Sequence, residues 1–339
     1  MSSPPLLRVE GLTTDLATSH GTLRAVDDVS FEIERGEALA LVGESGSGKS
    51  LTCLSLVRLL PAVGRITAGS IALDGEELST KSDRELRRIR GKQIAMILQD
   101  PLSSLNPVFT IGNQLGEAFR LERPRLSRAA VREKSIEALR RVDIPEPDRR
   151  LRSYPFEFSG GMCQRVTAAI ALARDPKLLI ADEPTTALDV TTQHQFLELL
   201  TKLRRERQMG LLLITHDLGI VREVCDRVAI MYAGRIVETG TVERVFARPA
   251  HPYTRALLAA IPSIAGDRKP RLAQIDGEPP DLIPPPVGCR FAPRCVWSTE
   301  LCRREYPPLE TDTGGSVACW LHVPSPPPGA PTERDLAVS

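Results

Sequence analysis

The 339-residue chain sets 44 Lys and Arg against 43 Asp and Glu, and a net charge of +1 argues against a dedicated nucleic-acid binder, whose domain is strongly basic. Apolar residues make up 42% and charged residues 26%, the profile of a folded chain, and with aromatics at only 4% the core must rest on Leu, Ile, Val and Ala. No apolar run approaches the roughly 18 residues of a membrane-spanning helix, and the start MSSPPLLRVE has neither a basic n-region nor an apolar h-region. A soluble intracellular protein is expected.

In chain order, the continuous apolar runs Ala38–Val42, Gln93–Leu98, Lys177–Ala181 and Gly210–Thr215 read as buried strands, and Thr167–Ala173 and Thr192–Leu203 between them have helical composition. Strands apolar on both faces belong to a parallel sheet wrapped by helices, so the class is α/β. The Arg-rich stretches Arg84–Arg90 and Arg120–Arg132 interleave acids and lack stacking aromatics, which favours solvated helical faces over contact with nucleic acid or anionic lipid.

The first strand runs into Gly43-Glu-Ser-Gly-Ser-Gly48-Lys49-Ser50, a P-loop pattern. Small residues at Gly43, Ser45, Gly46, Ser47 and Gly48 let backbone N–H groups curl around phosphate oxygens, and the helix that follows through Leu51 points its positive end at them. Lys49 reaches the β- and γ-phosphates as a point charge, and the Ser50 hydroxyl ligates Mg²⁺. Further on, Leu178-Leu-Ile-Ala-Asp182-Glu183-Pro184 ends an apolar strand in two carboxylates. That pair suits phosphoryl transfer, with Asp182 holding Mg²⁺ and Glu183 orienting and polarising the attacking water.

Between these motifs lies Phe158-Ser159-Gly160-Gly161-Met162 at the head of a helical pattern. With Gln99 in Leu98-Gln-Asp-Pro101, Ala187-Leu188-Asp189 and His216 in Thr215-His-Asp217, the series resembles the ATP-binding-cassette (ABC) ATPases in motif order and spacing from residue 5 to about 245. The resemblance implies a P-loop NTPase cassette with a helical subdomain at about 100–165. It also implies that Ser159, Gly160, Gly161 and Met162 contact the ATP held by an opposing subunit, that His216 contacts the γ-phosphate, and that Gln99 contacts Mg²⁺ and the attacking water. The sequence departs from the family pattern at Leu16, where relatives commonly stack an aromatic on adenine, and at Cys163, where they usually carry a basic residue; no Tyr, Phe or Trp precedes Phe31.

Half of the 28 prolines follow residue 269, a density that blocks long helices and central strands, and this marks 5–260 as the ATPase domain, 261–323 as an irregular, Pro-rich C-terminal appendage and 324–339 as a disordered tail. Seven cysteines are an odd count for a disulfide framework, and four of them, Cys289, Cys295, Cys302 and Cys319, crowd into this region with spacing C-x₅-C-x₆-C-x₁₆-C. Four thiolates suit a [4Fe–4S] cluster or a structural zinc, and the absence of a C-x₂₋₄-C pair favours the cluster, the alternatives being Zn²⁺ or no metal.

Gln99-Asp-Pro-Leu-Ser-Ser-Leu-Asn-Pro107, His251-Pro-Tyr-Thr-Arg255 and the cysteine segment resemble the ATPases of bacterial oligopeptide and dipeptide importers, the peptide/nickel uptake group. That resemblance implies an ATPase on the cytoplasmic face of the membrane. Its partners would be two transmembrane permeases, a second, non-identical cassette that closes with it over two ATP, and an extracytoplasmic solute-binding protein. It implies the same iron–sulfur cluster. Import of nickel or another small solute remains open, as does a non-transport cassette of DNA repair or the ribosome, although the latter calls for a coiled-coil insertion or a second cassette that the sequence lacks.

Overall fold

The computed structural model describes residues 4–122, 126–186, 188–261, 275–312 and 314–331. Its strands are β1 (Leu7–Thr18), β2 (Gly21–Ile33), β3 (Ala38–Val42), β4 (Gly64–Leu73), β5 (Glu76–Glu77), β6 (Ile94–Ile97), β7 (Leu178–Asp182), β8 (Gly210–Thr215), β9 (Arg227–Tyr232), β10 (Arg235–Thr241), β11 (Glu310–Asp312) and β12 (Gly315–Val317). The chain divides into two compact units, one of Met1–Leu7, Glu32–Ala38 and Ala72–Ile214, the other of Arg8–Phe31, Leu39–Ile71 and Thr215–Ser339.

In the first unit β6, β7 and β8 pair in parallel, with Ile94 opposite Leu178 and Leu178 opposite Gly210. Every residue of β7 and β8 is buried, which is why both read as unbroken apolar runs in place of an alternating pattern. The helices around them are bounded by side-chain caps. Ser82 and Glu85 form a reciprocal capping box on Asp83–Ile89, Ser127 caps Arg128–Arg141, Ser159 caps Gly160–Leu172, and Asp189 caps Val190–Arg207. Arg87 and Arg90 of the first Arg-rich stretch each lie 3.1 Å from Asp83, so that stretch is a self-paired, solvated helical face. Of the second stretch, residues 123–125 lie outside the described residues.

In the second unit β3 pairs in parallel with β9, β9 turns back antiparallel onto β10, and β2, β1 and β4 hydrogen-bond in that order. The Pro-rich region is irregular over most of its described length, as expected, but it also adds two short strands to a sheet. β12 pairs antiparallel with β10, Val317 facing Glu238, and β11 pairs with β12. Three-residue strands fit between prolines and carry no readable alternation. Beside them, Ala292, Cys302 and Trp320 form one small core and Ala250, Val317 and Cys319 another. Of the tail expected to be disordered, residues 332–339 lie outside the described residues.

Candidate nucleotide-binding site

The P-loop leaves β3 and enters the helix Lys49–Leu56, whose N-cap Gly48 has φ 101°. Only glycine serves there, because an added Cβ would lie 2.4 Å from the Ala25 carbonyl oxygen. At Gly43 the crowding is greater still, with the Met231 oxygen 2.1 Å from the same construction. The loop is closed by the Ser47 N–H donating to the Glu44 oxygen at 3.2 Å and by the Gly234 N–H donating to the Ser47 oxygen at 2.9 Å. Lys49 is 6% exposed, and its Nζ donates to the carbonyls of Gly43 and Glu44 at 2.8 and 2.9 Å. A cation stored against its own loop is placed to exchange carbonyl dipoles for phosphate charge.

In the first unit the strand β7 delivers Asp182, 6% exposed, and then Glu183 at φ 44°. That left-handed backbone is unusual for a glutamate, and it is held by the Glu183 N–H donating to the Ile214 oxygen at 2.9 Å. The carboxylate accepts two hydrogen bonds, from Gln99 Nε2 and from Thr186 Oγ1, each at 3.0 Å. Gln99 and Glu183, 84 residues apart, are thus brought into direct contact.

Ser159 and Gly160 are exposed at the head of their helix, where Ser159 Oγ accepts the Met162 N–H at 3.3 Å. Gly161 lets this helix approach Val190–Arg207, since a Cβ there would lie 2.4 Å from Thr192 Cγ2. Cys163, the departure two residues on, is buried and its thiol donates to the Pro155 carbonyl, so it serves packing. Asp189 accepts the Thr192 N–H and Oγ1, and these bonds hold its carboxyl below the usual range; Ala187 lies outside the described residues. In the second unit His216 is exposed just beyond β8, and Asp217 beside it caps Leu218–Val224. Leu16 is half-buried and closes over Gly64, where a Cβ would meet its Cδ2 at 2.9 Å.

Two side chains of the second unit hold Glu44 of the P-loop, and a third links them. Arg294 grips the Glu44 carboxylate with both terminal nitrogens, at 2.7 and 3.1 Å, and the Tyr253 hydroxyl accepts the Glu44 N–H at 2.9 Å. Tyr232 lies between them, its ring 4.6 Å from that of Tyr253 and its hydroxyl 3.2 Å from Arg294. Burial raises the phenols of both tyrosines, which keeps them neutral donors and acceptors. The only sequence signal was Tyr253 in His-Pro-Tyr-Thr-Arg.

Cys289, Cys295, Cys302 and Cys319 line one cavity. Burial pushes the thiols of Cys289 and Cys319 up to about 12 and that of Cys295 to about 11. Among the described residues no three His, Cys, Asp or Glu side chains are gathered so as to hold a metal ion, so the expected metal-binding group is not formed as such. Two polar atoms of the same lining, Trp297 Nε1 and Ser298 Oγ, are buried without a hydrogen-bond partner among the described residues, and Thr299 Oγ1 lies 3.5 Å from Cys302 Sγ.

Comparison with known proteins places these features. Residues 26–186 match the ABC transporter family, and residues 237–302 match the C-terminal region of oligopeptide/dipeptide transporters. The chain is 49% identical over 334 residues to a Brucella abortus protein named "Putative peptide import ATP-binding protein", covering 98% of each. It is 47% identical to the dipeptide transport ATP-binding protein DppD of Bacillus subtilis, covering 93% of this chain and 94% of that one. Among solved structures, the dimeric ATP-binding cassette MJ0796 in a post-hydrolysis state with ADP and phosphate is similar with a TM-score of 0.63 and 27% identity, over 70% of this chain and 98% of that one.

Proposed function

The chain belongs to the ABC transporter family, and we propose that it is the ATP-hydrolysing subunit that energises a bacterial importer of oligopeptides or dipeptides. The observation that carries this reading is the presence, in one chain, of the cassette and of the oligopeptide/dipeptide C-terminal region. Among the described residues no helix is long and apolar enough to cross a membrane, so passage of the peptide falls to permease partners.

The residue roles follow from the chemistry. The P-loop N–H groups of Gly43 through Ser50 and the Lys49 ammonium bind the phosphates. Ser50, Asp182 and Gln99 hold Mg²⁺, which neutralises charge on the phosphate oxygens. Glu183, steered by Gln99 and Thr186, accepts a proton from the attacking water, and His216 contacts the γ-phosphate. Ser159, Gly160, Gly161 and Met162 offer the head of their helix to the ATP of a second, non-identical cassette. Two such subunits close over two ATP, move two permeases on the cytoplasmic face, and receive peptide from an extracytoplasmic solute-binding protein. The domain limits that fit these roles are 5–260 for the ATPase and 261–323 for the C-terminal region.

The C-terminal region carries a [4Fe–4S] cluster in this reading. Zinc sites prefer C-x₂₋₄-C pairs, and this set has none, which favours the cluster. The four cysteines line one cavity, and the unpartnered Trp297 and Ser298 donors fit a group that accepts hydrogen bonds at sulfur. Its contribution is to staple a segment with little core of its own.

Deleting the gene in its host tests the importer reading. Uptake of labelled di- and oligopeptides is expected to fall and to return with the wild-type chain but not with Lys49→Ala. Undiminished peptide uptake in a strain without another peptide importer would contradict it.

A further inference from the structure

The second residue of the P-loop is a glutamate, and a carboxylate beside a phosphate cradle opposes the anion the cradle is built to hold. The structure answers that charge from the far end of the chain. Arg294 lies 250 residues away, on the short turn Ala292–Arg294 between Cys289 and Cys295, and it holds both oxygens of Glu44 in a fork. Its side chain is only 4% exposed, against 27% for Glu44. The guanidinium is itself fixed, donating to the carbonyls of Ile275 and Asp276 at 3.0 and 2.9 Å and to the Tyr232 hydroxyl. The backbone of Glu44 is held at both ends as well, its N–H by Tyr253 and its oxygen by Lys49. Tyr232, Tyr253 and Phe291 pack ring against ring, with centroids 4.6 to 5.4 Å apart, beneath these contacts.

We propose that Arg294 is a positioning residue for ATP binding, which neutralises Glu44 and holds it in place so that the P-loop can accept a triphosphate. The proposal rests on the reading of the P-loop as the ATP site. It makes the C-terminal region a working part of the nucleotide site. Arginine suits the task better than lysine, because only a planar fork meets both carboxylate oxygens at once.

The test measures ATP affinity with a fluorescent ATP analogue, and ATPase KM and kcat, in the full-length chain. Arg294→Gln leaves Glu44 charged and unpaired, and is expected to weaken ATP binding about tenfold and to raise KM, with kcat at saturating ATP largely retained. Adding Glu44→Gln removes the exposed charge, so Arg294→Gln/Glu44→Gln is expected to recover affinity to within about threefold of wild type. Arg294→Lys should fall between Arg294→Gln and wild type. A purely architectural role for Arg294 predicts a double variant no better than the single one, and that result would overturn the proposal, as would wild-type affinity in Arg294→Gln. If Arg294→Gln does not fold, Arg294→Lys with and without Glu44→Gln supplies the same comparison. Lys49→Ala serves as the control: if it too binds ATP normally, the ATP-site reading itself has failed, whereas loss there with no effect at Arg294 refutes this proposal alone.

Discussion

Gln99 donates to Glu183 across 3.0 Å, joining the loop after β6 to the residue after β7. The same carboxylate oxygen accepts Thr186 Oγ1, so two donors fix the direction in which the carboxylate that would take a proton from water is aimed. Gln99→Ala should therefore lower kcat with little change in ATP affinity, and by less than Glu183→Gln, which removes the base and should cost about 10²–10⁴-fold. Steady-state kinetics on the two variants check the order. A larger loss at Gln99 than at Glu183 would reverse the assignment.

Ser159 caps its helix and stands exposed. Ser159→Arg loses the cap, at a cost of about 1 kcal/mol, and puts a long side chain where the partner's nucleotide is expected. Binding of ATP by the isolated chain should persist while ATP-dependent pairing with a second cassette is lost. Light scattering in the presence of ATP distinguishes the two; unchanged pairing would remove Ser159 from the interface.

The C-terminal region is also tied down through a buried charge. Asp27 accepts Arg235 Nε at 2.7 Å and pairs with Arg290, whose side chain is 3% exposed and whose charged form burial disfavours. Asp27→Asn would leave that guanidinium underpaired and should cost about 3–5 kcal/mol. Urea unfolding followed by circular dichroism measures this, and a loss within 0.5 kcal/mol, roughly the size of an ordinary surface substitution, would show that Arg290 is satisfied elsewhere.

Protein purified without air should be brown, with broad absorbance near 400 nm and about four iron atoms per chain. Replacing Cys295 by Ser should reduce both signals and leave the P-loop able to bind ATP. Colourless anaerobic protein without iron, or with one firmly held zinc, would sink the cluster reading and spare the ATPase.

The P-loop, Asp-Glu and Ser-Gly-Gly motifs are legible in the sequence because each is local. Ala38–Val42 and Gly210–Thr215 are continuous apolar runs with the bounds of β3 and β8, and Ser159 and Asp189 announce the helices they cap. What it concealed is long-range. Nothing near Arg294 marks its partner as Glu44, and no pattern in Gly315–Val317 marks it as a strand for β10. Prolines correctly excluded long elements after residue 269, yet short ones were enough to build the region onto the second unit. The cysteine spacing led to the expectation of a metal-binding group; the four cysteines line one cavity, but among the described residues no such group is formed.

The most direct measurement of the central claim is uptake of a labelled dipeptide by membrane vesicles carrying this chain with its neighbouring permeases, ATP and the solute-binding protein. Wild-type vesicles are expected to accumulate peptide as ATP is consumed, and vesicles carrying Glu183→Gln to bind ATP and accumulate none. Peptide accumulation with Glu183→Gln at the wild-type rate would contradict the account.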